Sequence, residues 1–539
     1  MRQLCGWLAL SVGLARMLLG LALPVAPCPP GDAAAQDCAE ERVAALMSWA
    51  ENSDLYAPRL QTGQVNGMRG LLASKQIKKG GLLMSIPRAM ALAVHEGAPC
   101  PFPMFMGDAE WNTFPEDVQL AALLLYHAKL GLHSDWYPYI QALPTHFDTL
   151  GHWTPPQLAE LQLGSTTTEL DFLSQVEQSR EVLQQLHETY RRSKFSQRFN
   201  VTLEDRLWAV DCVHSRSVEV PKPFNWLQPA LTSTAMLIAA GIFGLSPVRK
   251  RPRSKTMLNL TLLALVLTAG PVVYSIILYG ASQPGGQTGT ALLPLFDILN
   301  HDVKQEGTWL SSSWTGNSFR ITAATEGFEP GQEATISYGK KPNEAFLLHY
   351  GFVDTSYKSD FYSADLLEYV VQQENVPAAR VDALAADHKL HTAIESVSLK
   401  KGGAGREVIR ALRFLLATPD EVQEAEEAGR STGQWLADIL EYRQLPTAMT
   451  PFNYITLSNA TEMRVQQAVL HHFCSFVLKS KPTSVKADEA ELSELSKHQL
   501  MSQNEARQLL AIQFRYGKKK ILQSCIRKHQ KLATLLSGG

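Results

Sequence analysis

The chain alternates between segments with a short hydrophobic repeat and segments whose apolar positions recur every three or four residues. From Asn66 to Met90 it reads NGMRGLLASKQIKKGGLLMSIPRAM. A glycine-bearing turn, a short apolar run, Lys-Lys-Gly-Gly and a second run ending at Pro87 predict a β-hairpin-like region. Val118–Gly131 is strongly apolar at helical spacing, and Leu203–Pro221 puts Trp208, Cys212 and Arg216 at near-helical intervals. Asn317–Gly339 again looks strand-like, and 343–352 (NEAFLLHYGF) predicts a short helix with Asn343 as its N-cap.

Two stretches break this pattern by being apolar throughout. Phe224–Leu245 and Met257–Ala281 contain no charged residue, and each is long enough to cross a bilayer core as a helix. Between them, Arg249, Lys250, Arg251, Arg253 and Lys255 form a basic turn. The expectation is a transmembrane helical hairpin over 224–281, with its basic tip on the cytoplasmic or stromal face. The alternative is a buried hairpin of a soluble core. Either form returns the chain to where it left, so its flanks can still fold together. Two spans without a polar pathway give little basis for a transporter.

Composition narrows the rest. Fifty Lys+Arg against 52 Asp+Glu leave a formal net charge of -2, so there is no global basic field for nucleic acid. Seven cysteines are scattered without a CxxC or Cys/His grouping, from which mostly reduced, structural thiols and no metal are expected. Residues 1–36 have no acid before Asp32, are rich in Leu and Ala and carry Arg2 and Arg16. They are expected to be a targeting segment, of either the secretory or the organellar type.

The stretch ALLPLFDILNHD, Ala291–Asp302, is an apolar run that ends on Asp297, Asn300 and His301. The bland explanation is a core strand with a solvated end. The sharper one is a strand that delivers polar groups to a pocket, because buried Asn or His must find partners.

Taken in order, Gly67-Met-Arg-Gly-Leu-Leu-Ala, Ile77…Gly80, Ile86-Pro87, WYPYIQALP, Ser215-Arg216, PLFDILNH and ISYGKKPNEAFLLHYGF resemble the SET-domain protein methyltransferases. The resemblance is greatest to the branch with Rubisco large-subunit lysine methyltransferase and the actin-histidine methyltransferase. The segments LRFLLATPDEVQEAEE and LMSQNEARQLLAIQFRYGKKKILQSCI are similar to that branch's helical C-terminal domain.

The resemblance implies an α+β fold: a β-rich SET core with a helical insertion and an all-α C-terminal substrate-binding domain, to which the transmembrane hairpin would be added. The divisions would be 44–223 and 282–365 for the SET core, 224–281 for the hairpin and 366–536 for the helical domain.

It also implies S-adenosyl-L-methionine as cofactor and a protein substrate docked on the helical domain. Asn300 would bind the methionyl amino group, and His301 would present its backbone near the adenine. Arg216 would pair with the cofactor carboxylate, as a planar guanidinium suits two oxygens. Asp297 would lie beside the pocket, and the backbone of Gly70, Leu71 and Leu72 would approach the cofactor, with Gly67 and Gly70 permitting contact. Tyr338 matches the catalytic tyrosine, and Phe296, Tyr350 and Phe352 would line the substrate channel. Ordinary structural roles stand beside these: a helix-end Arg216, a half-buried strand Tyr338, core aromatics at 350 and 352.

Where the histidine-directed relative has Trp this chain has Phe296, and it has Ser217 where that relative has Asn. Lysine is therefore the expected acceptor, with histidine or a catalytically inactive peptide-binding protein as alternatives. The apolar hairpin implies attachment to an organellar membrane, chloroplast or endomembrane.

Overall fold

A computed structural model describes residues 32–65, 68–191, 194–221, 288–307, 309–312, 317–427, 458–497 and 501–537. The chain packs as two compact units, one of Met1–Thr145 with His187–Tyr338 and one of His146–Leu186 with Gly339–Gly539.

The first unit is built on three small sheets. β1 (Leu60–Val65) and β2 (Met68–Ala73) form an antiparallel pair, and β10 (Glu333–Ile336) adds antiparallel to β2. β7, only Asn300–His301, then pairs parallel with β10, Asn300 opposite Thr335 and His301 opposite Ile336. β3 (Leu82–Pro87), β9 (Ser318–Thr322) and β8 (Leu310–Ser312) make a second sheet. β4 (Leu92–His95), β6 (Thr288–Leu292) and β5 (Val218–Pro221) make the third. In β3, Met84 and Ile86 are buried on either side of a half-buried Ser85, while the adjacent burial of Leu83 and Met84 coincides with an irregularity in the pairing with β9 between Leu82 and Met84.

One helix packs on β4 and β6 of the third sheet, and a second packs on that helix. α1 (Glu116–Leu130) buries Leu120, Leu123, Leu124 and Ala128 on one side and stops at Gly131, whose φ of 57° is one that glycine adopts without strain. α2 (Leu203–Arg216) starts with a reciprocal cap: the Thr202 hydroxyl accepts from the Asp205 amide, and the Asp205 carboxylate accepts from the Thr202 amide. Asp205 also pairs with Lys129 of α1 at 2.7 Å, and the Trp208 indole donates to the Pro144 carbonyl at 2.8 Å. These contacts fix the pitch of the helix whose last residue is Arg216.

The second unit is mainly helical, around Leu412, Leu415, Phe473, Ile521 and their neighbours. Its centre holds charge. On α3 (Gln503–Ser537), Lys519 donates to Asp488 at 2.7 Å and to Gln162 at 2.8 Å, while Arg515 meets the other Asp488 oxygen at 3.0 Å. Lys481 meets Glu169 at 2.5 Å, and the Tyr362 hydroxyl donates to the same carboxylate. Paired and hydrogen-bonded throughout, these ions escape most of the cost of leaving water.

Several expectations need correction. Among the described residues no helix is long and apolar enough to cross a membrane. The long helices Thr167–Arg191 and Gln503–Ser537 are interrupted by charged residues at nearly every turn. The transmembrane hairpin is thus not part of this fold as described; the stretches 224–245 and 257–281 on which it was placed lie outside the described residues. So do residues 1–31 of the expected targeting segment and Gly67.

The expected all-α domain contains a strand, Val397–Leu399, paired with Tyr362–Ala364. Among the described residues the thiols are not mostly reduced: Cys474 and Cys525 form a disulfide and Cys38 is disulfide-bonded too, while Cys100 and Cys212 are free. Nor does Asn343 cap its helix. Pro342 holds that position, and the Asn343 side chain instead accepts from the Asp354 amide at 2.8 Å.

Replacing Asp488 by Ala leaves Lys519 and Arg515 buried with their shared carboxylate gone. The expected loss is about 3–5 kcal/mol, read as a lowered midpoint in urea unfolding, with Asp488→Asn losing less.

Candidate active site

The polar end of the apolar run after β6 is shaped by the backbone. Leu295 has a φ of 64°, uncommon for a branched residue, and from it the chain enters a single tight turn over Phe296–Ile298. That turn reverses direction just before β7. It sends Asp297 toward the end of α2 and Asn300 toward β2 and β10.

At the α2 end, Arg216 donates through Nη1 to the Asp297 carbonyl at 2.6 Å and lies 3.6 Å from the carboxylate Oδ2. The same oxygen accepts from the Tyr139 hydroxyl at 3.2 Å. Asp297 Oδ1 and Arg216 Nε are buried and have no hydrogen-bond partner among the described residues. Burial pushes the Asp297 carboxyl up, against the pull of Arg216 and Arg69. Burial likewise raises the Tyr139 phenol well above its ordinary value. Arg69, whose own value burial lowers, is tied by Nη1 to the Ala142 carbonyl at 2.8 Å.

At the β2 side, the Asn300 amide nitrogen donates to the Arg69 carbonyl at 3.0 Å and to Glu333 Oε1 at 2.7 Å. Its Oδ1 accepts no hydrogen bond from the described residues. Gly70 makes room for this: a Cβ there would sit 2.5 Å from Glu333 Oε1 and 3.2 Å from the Asn300 nitrogen. Leu71 is core, and Leu72 is half-buried opposite Glu333.

Tyr338 lies two residues beyond the end of β10. Its hydroxyl donates to the Leu299 carbonyl at 2.8 Å, and its amide donates to His301 Nδ1 at 3.1 Å. An accepting Nδ1 means that a neutral His301 carries its proton on Nε2. Phe296 is buried and stacks on Trp309, ring centroids 4.9 Å apart, while the Trp309 indole donates to the Ser337 carbonyl at 3.2 Å.

Of the residues singled out from the sequence, Gly70, Leu71, Leu72, Arg216, Phe296, Asp297, Asn300, His301 and Tyr338 therefore lie on adjoining strands, turns and the end of α2 within one unit. Tyr350 and Phe352 belong to the other unit, where Phe352 stacks on Phe346 and Tyr350 meets Phe346 edge-on. Tyr139, Arg69, Glu333 and Trp309 were missed. Tyr139 lies within WYPYIQALP and Glu333 within the strand before Tyr338, but only three-dimensional pairing shows what each touches. Among the described residues no cluster of His, Cys, Asp or Glu could hold a metal ion.

A family model described as Rubisco LSMT substrate-binding matches residues 378–522. The actin-histidine N-methyltransferase of Homo sapiens is 21% identical over 89% of this chain and 67% of its own length. That of Drosophila melanogaster is 24% identical over 64% of this chain, and the match takes in only 55% of the relative.

A solved structure of the SET domain of LSMT bound to lysine and AdoHcy superposes with a TM-score of 0.59 at 15% identity, covering 93% of each chain. One of Rubisco LSMT bound to sinefungin and monomethyllysine gives 0.57 at 16%, covering 92% of this chain and 93% of that one. The chain thus has the fold of these SET-domain proteins, and the resemblance read from its motifs holds across both units.

Because the Asp297 value is raised in the folded state, the native protein holds that proton more tightly than the unfolded chain. Stability that is full below the ordinary aspartate value of 3.8 is lost as pH rises through the raised one. Asp297→Asn removes this loss. The melting-temperature difference between wild type and Asp297→Asn is expected to shift in favour of the variant from pH 4 upward.

Proposed function

We propose that this chain is an S-adenosylmethionine-dependent protein methyltransferase that modifies a side-chain nitrogen of a protein substrate, with lysine as the acceptor. The observation that carries the reading is the hydroxyl of Tyr338 held on the Leu299 carbonyl, one residue from an Asn300 whose Oδ1 is left open.

The residues present fit the cofactor. Its α-ammonium can only donate hydrogen bonds, and Asn300 Oδ1 is an acceptor with no other duty. Arg216 has donors beyond the Nη1 spent on Asp297, and its Nε lacks a partner. The peptide groups of Gly70–Leu72 and His301 lie on strands paired to β10. When bound, S-adenosylmethionine supplies a methyl carbon that its sulfonium already activates, and an acceptor lone pair displaces the neutral thioether.

What remains for the protein is alignment and exclusion of water. The Tyr338 phenol, fixed at both its hydroxyl and its backbone amide, presents a rigid edge to the reacting groups. The Leu299 carbonyl adds an oxygen suited to weak CH···O contact with a methyl group. A lysine must arrive as the free amine, and low-polarity surroundings such as the stacked Phe296 and Trp309 rings favour that form.

Two observations support lysine: the fold shared with structures that hold lysine or monomethyllysine, and Phe296 in place of the histidine-directed relative's Trp. The relatives named actin-histidine N-methyltransferases favour histidine as the second reading. Docking of the protein substrate on the helical domain is supported by the substrate-binding match at 378–522.

Incubation of candidate protein substrates with isotope-labelled cofactor, followed by mass spectrometry, is expected to show labelled lysine. Tyr338→Phe should lower the rate by about 10²–10⁴-fold while cofactor binding persists. Label on histidine would select the second reading. A well-folded chain that takes up no cofactor would sink both.

A further inference from the structure

We infer that Glu333 is a positioning residue, which sets the orientation of the Asn300 amide and thereby keeps its Oδ1 available to a ligand's ammonium group. The inference rests on the proposed cofactor chemistry and deepens it. An asparagine amide has a donating end and an accepting end that differ little in shape, so its orientation is decided by its neighbours. Here the nitrogen faces two pure acceptors, the Arg69 carbonyl at 3.0 Å and Glu333 Oε1 at 2.7 Å. Rotating the amide would set Oδ1 against both of those oxygens and turn the nitrogen toward the ligand, where it would meet an ammonium as donor against donor.

The sheet builds this contact. Asn300 stands opposite Thr335, and Glu333 lies two residues from Thr335 on the same strand and so on the same face. On the neighbouring strand, Gly70 has no side chain to intrude; a Cβ would clash with Glu333 Oε1 at 2.5 Å. Arg69 alone offers one acceptor for two amide hydrogens. Glu333 supplies the second, and neither of its carboxylate oxygens can be presented as a donor while ionised.

The test is calorimetric binding of S-adenosylhomocysteine, which has the α-amino group, and of 5′-methylthioadenosine, which lacks it, to the full chain. Glu333→Met keeps the length and removes the acceptor; it should weaken S-adenosylhomocysteine about tenfold and leave 5′-methylthioadenosine unchanged. Glu333→Gln, whose Oε1 can still accept, should recover most of that loss. Glu333→Ala provides a second loss variant should Met disturb folding.

Equal weakening of both ligands, or a Glu333→Gln as impaired as Glu333→Met, would overturn the positioning role while leaving the cofactor reading intact. Failure of the wild-type chain to bind S-adenosylhomocysteine would instead remove the reading on which the role rests.

Discussion

The parallel pairing of the two-residue strand Asn300–His301 with β10 is the contact on which the site depends. Parallel neighbours cannot be joined by a tight hairpin, so the chain must travel away and return before this pair can form. It does so through β8 and β9, which belong to a different sheet. The result is that Asn300 and Tyr338, 38 positions apart in the chain numbering, share one small region of structure. Without that pairing, the Tyr338 amide would lose the His301 ring and its hydroxyl would lose the Leu299 carbonyl.

Around this pairing the protein has placed charge where charge is costly. Asp297 is buried against Arg216 and Tyr139, yet keeps one oxygen unsatisfied, and Arg216 keeps one nitrogen unsatisfied. Well-packed cores seldom leave such groups unpaired. Their presence in an otherwise apolar run answers the question raised by Ala291–Asp302: the run is core as far as Leu299, interrupted within the turn by Asp297, and its polar edge begins at Asn300. Strain at Leu295 is part of that turn.

The motif order along the chain carried much of this. Short apolar runs bounded by Gly and Pro became β2 and β3, the periodic apolar stretch at Val118–Gly131 became α1, and PLFDILNH ended on the residues that meet β2 and β10. What could not be read were contacts set by register between distant strands. The Asn300–Arg69 bond spans 231 positions, and no local pattern announces that Glu333 will reach Asn300.

The Cys474–Cys525 bridge escaped for the same reason, since two lone cysteines 51 residues apart have no diagnostic spacing. Asn343 misled because Asn at a helix start usually caps, whereas here a proline precedes it and the amide turns inward to Asp354. The apolar stretches at 224–281 misled differently: hydrophobic length alone is consistent with a membrane span, but cannot establish one.

The discontinuity of the second unit bears on how the chain matures on the ribosome. Residues 146–186 emerge early, yet Glu169 waits for Lys481, 312 positions later, and Gln162 waits for Lys519, 357 positions later. Until those lysines are synthesised, an acidic group destined for a dry interior stays wet, and the helix around it has nothing to close upon. The first unit, by contrast, has all its strands once Tyr338 is made. Vectorial synthesis therefore favours a nascent species with a finished β-rich half and an early helical segment still held in reserve.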